Sequence, residues 1–122
     1  MQGIPAGDLD RRIRIERPVP DDSLDGAGSG SWEQVAASVW ASIIDLLPSK
    51  GEKVANGIDI TSRPARIRTR WRGDITSDMR FVEITDGADG RIMQIVSGPA
   101  MIGRREGLEF MVEEWSPAGN GA

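Results

Sequence analysis

The residues best placed to do chemistry are arginines. Between Arg63 and Arg72 the chain reads RPARIRTRWR, with five arginines and no acid. Arg66, Arg68, Arg70 and Arg72 recur at every second position, so in a strand they share one face. Their guanidinium groups would stand about 7 Å apart, close to the phosphate spacing of a nucleic-acid backbone. Nucleic-acid binding is therefore one reading. The ordinary alternative is a solvated sheet face answered by acids on a neighbouring strand or subunit. Glu106, Glu109, Glu113 and Glu114 supply such acids. Arg12 and Arg14 repeat the pattern near the N-terminus.

Other chemistries lack their residues. The 122-residue chain has no Cys and no His. That removes a thiolate nucleophile, a disulfide, an Fe–S cluster, an imidazole base and an ordinary zinc site. Asp21, Asp22 and Asp25 precede Gly26, but the calcium-loop spacing with its distal Glu is missing, so no metal is assigned. No Ser sits in a nucleophile elbow and no phosphate-cradling Gly-Lys-Ser/Thr is present. A pair of carboxylates could in principle hydrolyse a substrate, yet nothing singles out a pair among the 19 acids. The expectation is a non-enzyme without cofactors.

The net charge is -4, which argues against bulk attraction to nucleic acid. Of 15 cations 13 are Arg, the residue of planar bidentate contacts. The N-terminus lacks signal-peptide features, and the longest apolar stretch, residues 39–47, is too short to span a bilayer.

The elements that must carry these residues are strands. Residues 9–19, 32–46, 64–72, 79–85, 91–97 and 108–115 alternate or are rich in β-branched types. In residues 32–46 the positions Val35, Ala37, Val39, Ala41 and Ile43 fall on one parity, the expected inner face. Ala65, Ile67, Thr69 and Trp71 should face inward, opposite the Arg row. Asp86-Gly87 and Asp89-Gly90 mark a tight hairpin loop, and Gly98-Pro99 should end a strand. Ser49 and Glu52 could cap a short helix through about Ala55. The four Trp read as core and interface anchors rather than stacking platforms.

Six strands, at most one short helix and no βαβ alternation predict an all-β, mainly antiparallel fold: a small barrel or a tight sandwich. Residues 1–8 read as a flexible arm and 9–115 as one domain, with insertions at 20–31 and 47–63. Residues 116–122 read as a disordered tail.

Several blocks in order resemble the tailed-phage head–tail joining, or head closure, family, whose stopper proteins also occur in gene transfer agents and prophages. AGDLDRRIRIERPV from Ala6, WEQVAASVWASI from Trp32 and RIRTRWRGDITSDMRFV from Arg66 match its pattern. DGRIMQI from Asp89 and the closing GLEFMVEEW from Gly107 continue it, although Met93 stands where an aromatic is usual. The resemblance implies a structural β-barrel, with no enzyme activity, in a ring of about twelve subunits. Such a ring closes the DNA channel after packaging and docks the tail in the virion. Partners would be other copies, the portal-bound adaptor, a tail or tail-terminator protein, and double-stranded DNA without sequence specificity; no membrane is implied. On this view Lys50, Gly51, Glu52, Lys53 and Asn56 form a channel plug. Arg12, Arg14, Arg66, Arg68, Arg70, Arg72, Glu109, Glu113 and Glu114 are candidate subunit-interface charges. The alternative is a small Arg-rich barrel that binds nucleic acid.

Overall fold

A computed structural model of the chain describes residues 4–20, 30–47 and 63–114. Alternation builds its strands. In β1 (Arg11–Pro18) Ile13 and Ile15 are fully buried while Arg12, Arg14 and Glu16 point out. β2 (Trp32–Asp45) pairs antiparallel with β1 and then with β3 (Arg63–Arg70). β4 (Arg80–Thr85), β5 (Ala88–Ile102) and β6 (Gly107–Glu114) complete the set. All six join in one closed antiparallel barrel, in the order β1-β2-β3-β6-β5-β4. The sandwich alternative is thereby set aside. Closure leaves the sheet without a free edge strand, the main hazard of a small β protein.

The lumen is filled. Phe81 and Phe110 meet edge-to-face with centroids 5.0 Å apart. Ile13, Ile15, Ile67, Met93 and Val112 pack around them, each essentially without solvent contact. The link from β3 to β4 crosses one end of the barrel and seals it with Ile75 and Met79. Gln94 and Ile95 hold that link through hydrogen bonds to the Met79 carbonyl, at 3.0 and 3.4 Å.

Five expectations need correction. The parity assigned to residues 32–46 breaks, because Ala37 is exposed while Val35 and Ala36 both pack on the core. The register with β1 slips twice, from Ile13↔Val39 to Ile15↔Ala36 to Glu16↔Gln34, so β2 carries extra residues. Such bulges bend a strand and re-aim its side chains, which a strict period of two misses.

Gly98-Pro99 does not end β5. The strand runs on to Ile102 across a further irregularity between Ser97 and Ala100. Pro is tolerated at such a bulge. Gly98 adopts φ +108 with the Glu109 carbonyl 2.8 Å from where a Cβ would be, so only glycine fits there.

The segment expected as a flexible arm is packed from Ile4 onward. Ile4 is buried, a short 3-10 turn spans Ala6–Asp8, and Leu9 is buried after it. Ile4 lies against Gly107, where a Cβ would come within 2.6 Å of the Ile4 side chain.

Trp71 does not share the inner face of Ile67. β3 ends at Arg70, and the chain turns out of the sheet there. The tight hairpin is made by Asp86 and Gly87 alone, both at positive φ, while Asp89 and Gly90 already belong to β5. The short helix expected near Ser49 and the tail at 116–122 lie outside the described residues.

Candidate assembly surfaces

The outer Arg row is answered inside the chain. β3 pairs with β6, which sets Arg68 opposite Glu109 and Arg66 opposite Met111. Arg68 Nε donates to Glu109 at 2.9 Å, and Arg66 lies 3.9 Å from the same carboxylate. The buried Nε of Arg66 makes no hydrogen bond among the described residues. Arg70 donates to the Ile4 carbonyl at 3.0 Å and so ties down the N-terminal segment. Arg72, beyond the strand, chelates Asp74 and holds that carboxyl below its usual range. The row is therefore a set of structural contacts rather than a run of free cations, which weighs against a phosphate-tracking groove.

β1 behaves alike. Arg14 forms a two-pronged pair with Asp89, at 2.7 and 2.8 Å, and also holds Glu16 at 2.9 Å. These bonds raise the Arg14 pKa and lower that of Asp89. Arg80 reaches Glu16 at 2.8 Å. Burial pushes the Glu16 carboxyl up, but the hydrogen bonds from Arg80 and Arg14 more than offset it and leave its pKa low.

Trp32, Trp40 and Trp71 are not core residues. Each one described is exposed or half-buried and lies under a guanidinium: Arg80 on Trp32 at 4.0 Å, Arg12 on Trp40 at 4.7 Å and Arg105 on Trp71 at 5.1 Å. This use of Arg and Trp together stabilises the outer surface by cation–π attraction.

One cluster escaped sequence reasoning. At the barrel end opposite Ile75 and Met79, each strand contributes one inner charged residue. In sheet order these are Arg11, Asp45, Arg63, Glu114, Arg91 and Glu83, so the signs alternate around the ring. Glu83 accepts from Arg91 at 2.9 Å and from Arg11 at 2.5 Å. Arg91 also spans the lumen to Asp45 at 2.6 Å. Glu114 stands 3.7 Å from Arg63 and 3.9 Å from Arg91. Burial pulls the Arg91 pKa down, but its bonds to Asp45 and Glu83 leave it raised.

A signal for this cluster exists: each member is the next inner position after an apolar alternation, as Glu83 follows Phe81 and Arg91 precedes Met93. It also separates Glu114 from Glu109 and Glu113, which lie on the outer parity of β6. Glu113 faces out opposite Pro64 and Gln94, with no ion pair among the described residues. Lys50, Gly51, Glu52, Lys53 and Asn56 fall outside the described residues. Among the described residues no cluster of metal-binding side chains occurs, and no helix is long and apolar enough to cross a membrane.

A filled, closed barrel whose charged groups hold one another defines a structural module. The chain belongs to the phage head completion protein family, whose model matches residues 4–114. The family is a structural virion component and not an enzyme. Protein SF1141 from Shigella flexneri 2a is similar at 27% identity and TM-score 0.62, over 91% of this chain and 96% of that one. A chain of the native gene transfer agent virion has the same fold at 19% identity and TM-score 0.61, over 87% of this chain and 94% of that one. No curated protein matches the sequence.

Proposed function

We propose that this virion protein works in the head–tail connector, closing the DNA channel after packaging and offering a surface on which the tail docks. The observation that carries the reading is the family match over residues 4–114, joined to a closed and filled barrel. Copies assemble into a ring of about twelve. Arg12, Arg14, Arg66, Arg68, Arg70, Arg72, Glu109, Glu113 and Glu114 stand at or near the contacts between copies. The ring sits between a portal-bound adaptor and a tail or tail-terminator protein, and assembles in the host bacterial cytoplasm. The insertion at 47–63 reaches the channel as a plug, with Lys50 and Lys53 nearest the DNA, whose backbone is met without sequence preference. The barrel of residues 9–115, with the segment from Ile4 packed on it, and the tail at 116–122 act as one unit. The test is deletion of residues 48–57 in the virion: packaged heads should lose DNA, and heads that retain it fully refute the plug.

A further inference from the structure

The N-terminal segment leaves a hollow of about 350 Å³ where it packs on β2 and β3. Ile4 and Ile44 give it apolar walls, Asp8 and Asp10 give it carboxylates, and Ser42 lines it from the strand beneath. Ser42 follows the core residue Ala41 in β2, so its side chain points outward, toward this hollow. It is nevertheless only 8% exposed, because the N-terminal segment covers it. Its hydroxyl makes no hydrogen bond among the described residues. Arg68 stands opposite it in the register but gives its guanidinium to Glu109 instead. Buried polar groups are almost always paired, so an unpaired hydroxyl facing a hollow points to a ligand.

The acids point the same way. Asp8 and Asp10 have no ion pair among the described residues, and Leu9, buried between them, fixes the segment that carries them. Arg68 also lines the hollow, but Glu109 already holds it at 2.9 Å, and Arg66 lies 3.9 Å from the same carboxylate. Asp8, Asp10 and Glu109 therefore outnumber Arg66 and Arg68. Arg70 lines a separate hollow with Ala6, Leu9 and Trp40, and donates to the Ile4 carbonyl.

We infer that this hollow binds a primary ammonium carried on an aliphatic stem. An ammonium has three N–H donors and no acceptor, which matches two carboxylates and a hydroxyl. Its methylenes lie along Ile4 and Ile44 while the charged head reaches the acids. A compact, rotatable head suits acceptors drawn from two separate segments better than a planar guanidinium fork does. A free alkyl diamine and a lysine side chain of a neighbouring protein share this chemistry. The site is independent of the connector reading, since it is complete within one chain.

The test is an NMR titration of the isolated full chain with two probes, cadaverine and acetyl-lysine amide, and with neutral pentanol as control. Saturable shifts are expected at the amides of Gly7, Asp8, Asp10 and Ser42 and at the Ile44 methyls. Asp8 and Asp10 are exposed, so the double variant Asp8→Asn, Asp10→Asn should keep the rest of the spectrum and bind about tenfold or more weakly. Ser42→Ala should weaken binding by a smaller factor. Tighter binding of the diamine assigns the site to a free amine, and equal or tighter binding of the lysine amide assigns it to a side chain. No saturation with either probe, the same shifts with pentanol, or binding that survives either variant intact overturns the inference.

Discussion

Arg91 Nε donates to the Glu83 carboxylate at 2.9 Å across the end of the barrel, and Glu83 has almost no solvent contact. A carboxylate so placed is tolerable only because two guanidiniums hold it. Glu83→Gln removes the charge at nearly constant volume and leaves Arg91 and Arg11 facing an amide. Urea denaturation should show a loss of about 2–3 kcal/mol. A variant as stable as the parent would mean that water already screens the cluster.

Acid should weaken the fold through Glu16. Its folded-state pKa lies below the ordinary 4.5, so as pH falls the unfolded chain takes up the proton first. The stabilising contribution is complete above the unfolded value and is lost as pH falls through the folded one. Stability measured by urea between about pH 3 and 6 should decline on the acid side, and Glu16→Gln should flatten that decline. Asp74 and Asp89, both held low by arginines, add to the same limb in the variant and the parent alike.

Gly98→Ala places a Cβ against the Glu109 carbonyl at a φ that side chains rarely adopt. The cost should be about 1–3 kcal/mol, seen as a lower denaturation midpoint with an unchanged slope. An unaltered midpoint would show that the β5 bulge relaxes freely.

The core should respond most. Phe81→Ala removes one half of the Phe81–Phe110 contact at the centre of the lumen. Thermal or urea unfolding should report a loss of about 3–5 kcal/mol. A loss under 1 kcal/mol would mean that the surrounding strands collapse into the space.

Strand identity was legible because inner and outer residues alternate cleanly in β1, β3 and β6. The Arg row and its answering Glu109 followed from the same alternation. What stayed hidden depends on contacts between distant segments. The bulges that turn Ala37 out are set by pairing with β1, and the passage of β5 through Gly98-Pro99 by its pairing with β6. Trp71 kept the inner parity on paper but sits past the point where the chain leaves the sheet. The alternating charge ring needed strand order, since no two of its six members are neighbours in sequence. Ile4 looked like part of a loose arm because its partner, Gly107, is far along the chain and has no side chain to suggest a contact.

The two ends of the barrel are stoppered differently, one by Ile75 and Met79 and the other by the charged ring, with aromatic and aliphatic side chains between them. A single copy is thus a solid strut with no bore of its own. Any conduit wide enough for a double helix must be the empty space that neighbouring copies enclose. In the ring proposed above, its width would be set by how many struts stand in the circle and how steeply each leans, and widening it would require copies to shift against one another rather than any barrel to open.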